Sequence, residues 1–339
     1  MRDYFIPLII IICLLINGCY VIKQGYFQLK LLNDAVPIHQ ALRNQHLTFQ
    51  QREKLKLVNQ VRQFANEKIH LITYNNYKNI NLKWSYNLVN VSAADKLAFK
   101  AYEWWFPVIG HVPYKGFFDV KDALNQAKIL KEQGLDVLIS PVAAYSSLGF
   151  FNDPLWPSML QMSDYDLVDL LFHEYTHATI YFKNDALFNE SLASFVGKKA
   201  TEIFYQHYYT KEIYEDLLKN YEQEKLKQFF FHQLYQELDL VYNSPLSNAE
   251  KEKHKNTLKE KYQKDYQAKF PHNNLNWDRV NNAFLLSFKR YDNNLSIFAD
   301  LLDILKGDWK NFFYEISNTD DKDAFNSLEK RIKMLKLTK

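Results

Sequence analysis

Two histidines and a glutamate share one five-residue run, His173-Glu174-Tyr175-Thr176-His177. On a helix, positions i and i+4 lie on one face, so both imidazoles can reach a single cation. Glu174 lies beside that cation without binding it. From there it can take a proton from an attacking water and pass it to a leaving amine. Imidazole and carboxylate donors suit Zn2+, which takes about four ligands in a tetrahedron, so one zinc ion per chain is expected. The flanking residues Leu170, Leu171, Phe172 and Ala178 are uncharged, as a buried helix requires. The only cysteines are Cys13 and Cys19, both near the N-terminus, so a metal in the body of the chain must be held by histidine and carboxylate.

A third protein ligand is needed. An adamalysin- or astacin-like continuation requires Gly at 180 and His at 183, and the chain has Ile180 and Lys183. Asn189-Glu190-Ser191-Leu192-Ala193 supplies the better donor. Lys183-Asn184-Asp185 can turn the chain, and Ala186 to Ala200 then has helical periodicity, which faces Glu190 back toward the histidines. Ala193 and Gly197 share the face of Glu190, and their small size lets the two helices approach closely. Asp185 and Glu202 are weaker donors: one sits in the turn, the other three helical turns beyond Glu190. A hydrolytic centre also needs a hydrogen-bond donor for the developing oxyanion. Tyr291, Tyr145 and His111 are the candidates. Glu103, Asp136 and Asp153 are available to hold a substrate's free amine, and nothing in the sequence singles one out.

The elements that must position these residues are mostly helical. The chain is 47% hydrophobic and 24% charged, an ordinary globular balance, and its 8 Gly and 9 Pro in 339 residues favour long helices. A net charge of +3 gives no expectation of nucleic-acid binding. Residues 20–72 read as helices, with Leu42, Phe49, Leu55, Leu57, Val61 and Phe64 at helical spacing. Residues 84–160 carry strand signals at Trp104 to Val108, Val112 to Tyr114 and Val137 to Ile139, split by a helix around Val120 to Lys131. Gly110, Gly116 and Gly134 fit turns, and Trp104 and Trp105 read as core. Ser163 to Asp166 has the form of a helix start, as does Ser247 to Glu250. Residues 213–269 read as a charged helical hairpin with solvated faces. Further helices are expected over 278–290, 293–305 and 321–335.

The N-terminus reads as a targeting segment. Phe5 to Ile16 is apolar but short for a mature membrane span. It ends at Ile16-Asn17-Gly18-Cys19, which resembles a bacterial lipobox, where the signal is removed and the cysteine acquires lipid. An uncleaved anchor and a secreted chain cut elsewhere are the alternatives, and all three place the body outside the cytoplasm. The lipobox reading makes 1–18 a signal peptide and Cys19 the membrane anchor. Residues 19–339 then form one domain: N-terminal helices (19–83), a sheet region (84–160), metal-binding helices (161–205) and a C-terminal helical region (206–339).

A helix with HExxH followed by one with NExxA resembles the gluzincins, the thermolysin-like zinc peptidases, with a shorter spacer than thermolysin's. The longer run HEYTHATIYFKNDALFNESLASFVG (173–197) is similar to the bacterial predicted-aminopeptidase family of envelope lipoproteins. So are Phe106-Pro107-Val108, Tyr114 to Phe118, Ala144 to Gly149 with Asp153-Pro154, Gly25 to Leu29, and Asn282-Ala283 with Tyr291. The pattern of elements along the chain gives a predominantly helical α+β fold with a small mixed or antiparallel sheet before the metal helices, which the resemblance implies are zincin-like. The resemblance also implies an envelope-located, lipid-anchored zinc aminopeptidase acting on peptides. An endopeptidase and a non-catalytic envelope lipoprotein that keeps the fold as a binding module are the alternatives. In peptidases of this kind an edge strand often precedes the metal helix and pairs with extended substrate. The run Leu138 to Leu148 holds that place, which would put Tyr145 and Ser146 near the cleft.

Overall fold

The computed structural model describes residues 20, 23–86, 88–106, 110–142, 152–183, 185–290, 295–320 and 323–337. A helix over 23–33 (α1) leads into the two-residue strand β1 (Val36–Pro37), the short α2 (Ile38–Ala41) and the long α3 (Phe49–Glu67). A reciprocal capping box between Thr48 and Gln51 starts α3. Leu55, Leu57, Val58, Val61 and Phe64 form its buried stripe, whereas Phe49, in its first turn, is exposed.

The sheet region holds β2 (Asn79–Ile80), β3 (Val89–Ala94), β4 (Trp104–Phe106), β5 (Gly110–Val112), β6 (Lys115–Phe117), α4 (Val120–Glu132) and β7 (Asp136–Pro141). Among the described residues the named strands pair antiparallel, as β1–β2, β4–β5 and a three-stranded sheet ordered β6–β3–β7, and one isolated parallel bridge joins Ile80 to Leu155. The central strand β3 is Val-Asn-Val-Ser-Ala-Ala, whose small residues give no strong strand signal. Gly110 and Gly116 fall within strands rather than turns, while Gly134, at φ +83°, ends α4 as expected. Trp105 is 55% exposed on the β4–β5 hairpin, which corrects its assignment to the core.

Helices follow: α5 (Asp164–Thr179), α6 (Ala186–Tyr208), α7 (Lys211–Tyr242), α8 (Asn248–Lys269), α9 (Asn282–Arg290), α10 (Leu295–Ile304), α11 (Trp309–Ser317) and α12 (Ala324–Leu337). The fold is therefore a predominantly helical α+β arrangement with small antiparallel sheets. Helix α11 was not expected, although its Trp309, Phe312, Phe313 and Ile316 are buried at helical spacing. The main core is built on α5 and α6, packed by α3 on one side and by α10, α11 and α12 on the other. Phe188 is fully buried against Phe182, Phe298 and Phe325, and fixes the start of α6. A second core joins α7, α8 and α9, and a third lies between α4 and the three-stranded sheet. Among the described residues no helix is long and apolar enough to cross a membrane.

The charged hairpin of α7 and α8 is not solvated throughout. Lys255 is buried and donates to Asp136 at 2.6 Å and to the Lys96 carbonyl at 2.8 Å. Asn282 meets the same carboxylate through its backbone N–H and donates its amide to the carbonyls of Asp95 and Lys96. Tyr242 donates to the Asn282 side chain. This network ties the hairpin to the sheet. Removing one partner of a buried ion pair leaves the other charge uncompensated. Lys255→Met is therefore expected to cost about 3–5 kcal/mol in denaturant unfolding. A loss of only about 0–1 kcal/mol, the worth of a surface pair, would show that the contact is solvated.

Candidate metal centre

Ser163 caps α5 by accepting the N–H of Asp166 at 3.1 Å, and Asp164 and Asp166 place negative charge at the helix N-terminus. The helix stops at Thr179, whose hydroxyl donates to the Tyr175 carbonyl and accepts from the N–H of Ile72. The chain turns over 180–185, and Asp185 caps α6 by accepting from Phe188. Asn189 then clamps the turn at two points. Its carbonyl accepts from Phe182 N–H at 2.8 Å, and its amide donates to the Phe182 carbonyl at 2.7 Å. The motif's asparagine thus fixes the first turn of α6, on which Glu190 stands. This role was missed by sequence reasoning, although the residue type beside Glu190 was its signal.

The two helices cross at Gly197. A Cβ there would lie 2.5 Å from Asp169 Oδ1 and 3.1 Å from the Asp169 carbonyl oxygen, so only glycine fits without displacement. The close approach brings Glu190 against both histidines. His173 Nε2 and His177 Nε2 are 3.1 Å apart. Glu190 lies 3.4 Å from His173 Nε2 through Oε2 and 3.6 Å from His177 Nε2 through Oε1. Ligands 2.0–2.1 Å from a common tetrahedral centre stand about 3.3–3.4 Å apart, so the three donors fit one Zn2+-sized ion. Among the described residues the cluster has three protein donors and no fourth, the arrangement that leaves a coordination position for water or substrate. The His177 side chain is 6% exposed and that of Glu190 34%, so the centre opens on the Glu190 side.

Electrostatics favour a cation here. Burial opposes charging His173, but the Glu190 contact and the carboxylates of Glu174, Glu190 and Asp169 outweigh it and raise its pKa. Burial, then the neighbouring His173, lower that of His177 to about 4. The two neighbouring rings thus do not both carry charge, and the carboxylates around them favour a cation at this place. Asp169 lies one turn before His173, and burial pushes its carboxyl up to about 6 against the opposing pull of His173. Glu174 is buried beside the triad.

The other candidates fare unequally. Tyr145, Ser146, Tyr291 and Cys19 lie outside the described residues. His111 is exposed and pairs with Glu103 at 3.5 Å on the β4–β5 hairpin, and it does not join the triad. Asp136 is committed to Lys255 and Asn282. Glu202 pairs with Lys199, and Asp185 is a helix cap, so neither joins the cluster. Strand β7 stands at the edge of its sheet, as expected for the run beginning at Leu138. However, Asn281 and Arg279 donate to its Val137 and Ile139 carbonyls, so this part is already capped against strand addition. Tyr181 is a residue that sequence reasoning missed. Its ring meets His177 edge-on at 6.4 Å between centroids, and it is 47% exposed. Burial of its hydroxyl and the nearby Glu190 charge raise its pKa, so it carries its proton at neutral pH.

Two histidines on one helix and a glutamate on the next form a group that could hold a metal ion. A family model described as "Putative aminopeptidase" matches residues 19–332, and the chain belongs to that family. No curated protein and no solved structure matches the chain. Gly197→Ala tests the helix crossing. Alanine is the better helix former by up to about 1 kcal/mol, yet the collision with Asp169 is expected to dominate and destabilise by about 1–3 kcal/mol. Thermal unfolding should show a lower Tm and weaker metal retention, and an unchanged or higher Tm would mean that the helices have room to spare.

Proposed function

We propose that the protein is a zinc metallopeptidase, held at the cell envelope by lipid on Cys19, that removes N-terminal residues from peptides. The observation that carries this reading is the triad of His173, His177 and Glu190 with its tetrahedral spacing, open position and adjacent buried Glu174. The aminopeptidase assignment and the envelope address draw support from the family and from the lipobox-like Ile16 to Cys19.

His173, His177 and Glu190 would hold a Zn2+ ion, which when bound would supply Lewis-acid polarisation of the scissile carbonyl and a more acidic water. Glu174 takes the proton from the attacking water and returns it to the leaving amine. Its buried position keeps competing solvent away. Tyr181, protonated and half exposed beside His177, serves as the hydrogen-bond donor to the developing oxyanion. The two histidines would ligate the ion as neutral imidazoles through the Nε2 atoms that face Glu190. Asp169 backs His173 with negative charge, which strengthens the imidazole as a donor.

The full-length protein in detergent is expected to bind one zinc per chain and to cleave free-amine peptides faster than N-blocked ones. Glu174→Gln should keep the zinc and lower kcat by about 10²–10⁴-fold. Zinc-free wild type, or hydrolysis undiminished in the variant, would overturn the reading. Equal cleavage of blocked peptides would leave a zinc endopeptidase in its place. Tyr181→Phe should lower kcat by roughly 10²-fold with zinc content and KM little changed, the effect of losing one oxyanion donor. Wild-type kcat in that variant would remove Tyr181 from the mechanism.

A further inference from the structure

The folded body begins at the residue that follows Cys19. Tyr20 is half-buried on the sheet region. Its O–H donates to the Gly116 carbonyl at 2.5 Å, and its ring packs edge-on against Phe117 at 5.6 Å and beside Phe106 at 6.1 Å. Lys115 Nζ lies 4.3 Å from the centre of the same ring. Lys23 pairs with Asp119 at 3.7 Å and with Asp122 in the first turn of α4. Phe27 is buried against Trp84, Tyr86 and Phe118. Residues 20, 23 and 27 thus tie the start of the chain to β4, β6 and α4. Consecutive Cα atoms are about 3.8 Å apart, so acyl chains on Cys19 would leave the protein beside Tyr20. A flexible tether that would let the body float free of its anchor has no counterpart between the two residues.

The surface near this point carries exposed aromatic and apolar side chains. Trp105, next to Phe106 on β4, is 55% exposed. The other five tryptophans are buried or, for Trp104, half-buried. In α1, Phe27, Gln28 and Leu31 face inward, while Tyr26 and Leu29 are 61% and 58% exposed. Apolar side chains scattered singly over a surface are ordinary and point to no partner. These three belong to the two elements that meet the chain directly after the lipid site. Tryptophan and tyrosine favour the boundary between headgroups and acyl chains, where the ring lies in an apolar layer and its N–H or O–H stays wet. The charges nearby are mixed, with Lys23 against Asp119 and Asp122 and His111 against Glu103. That balance gives little attraction to anionic lipid, so apolar burial has to carry any contact with the bilayer.

We propose that Trp105 of the β4–β5 hairpin and Tyr26 and Leu29 of α1 seat in the headgroup layer of the membrane that holds Cys19. The body is docked on the bilayer through this face and does not hang from it. The acyl chains supply the attachment, and the three side chains set which side faces lipid. Phe27 and Leu31 of α1 belong to the core built on α5 and α6, so a docked face also holds the metal helices at one angle to the membrane. The proposal rests on the lipid-anchor reading above and is independent of the hydrolytic one.

The test uses full-length protein whose lipid is confirmed by mass, reconstituted in phosphatidylcholine vesicles with and without bromine on the acyl chains. Bromine quenches only tryptophan that reaches the lipid. Wild-type emission is expected to be quenched, and the quenching is expected to be lost in Trp105→Phe, which stays on the vesicles through its lipid. In the Trp105→Phe background, Tyr26→Trp should restore quenching. Phe229→Trp, at an exposed position of α7 in the second core, should not. All these sites are exposed, so Tm should be unchanged. Unquenched emission from position 105 or 26, or equal quenching from position 229, would overturn the proposal. A mass that shows Cys19 unmodified would instead overturn the lipid anchor, and this proposal with it.

Discussion

The close crossing of α5 and α6 is the constraint on which the rest of the structure depends. Two histidines on one helix can hold a cation only weakly, and the third donor must come from a second helix that approaches within side-chain reach. Gly197 permits that approach, because any Cβ would strike Asp169. The Asn189 clamp on Phe182 fixes where α6 begins, and the buried Phe188 locks its first turn against α10 and α12. Most of the main core packs around this pair of helices, so the energy of burying large apolar side chains, roughly 1.5–3 kcal/mol each, also holds the three donors in place.

The same crossing concentrates negative charge. Glu174, Glu190 and Asp169 surround two imidazoles in a buried setting, and one histidine is raised in pKa while the other is lowered. The helix approach that stabilises the core thus also gathers the carboxylates around the two imidazoles. The loop from His70 to Asn81 is tied by backbone hydrogen bonds to the segment around Asp153, and Glu190 is more exposed than the two histidines.

How much was legible in the sequence followed the range of each interaction. HExxH is readable because its geometry is local to one helix, and Glu190 was found because a short turn and a helical period fix its direction. Ser163 as a cap and the hairpin of α7 and α8 were legible for the same reason. Lys255 was not, because its burial depends on a partner at Asp136, more than a hundred residues away. Strand β3 was hidden by its small residues, and Trp105 by its aromatic character, which reads as core although the hairpin leaves it exposed. Tyr77 carries no local signal at all. Its left-handed backbone lies in a turn held by Asp153 and by Arg62, which bonds the neighbouring Tyr74 and Asn76 carbonyls.

The most direct test of the central claim is a crystal structure of the full-length protein with anomalous data collected at the zinc absorption edge. The account requires one zinc per chain, about 2.0–2.1 Å from His173 Nε2, His177 Nε2 and a Glu190 oxygen, with water or ligand completing the tetrahedron. No anomalous peak between those residues, or a fourth protein side chain closing the coordination sphere, would contradict it.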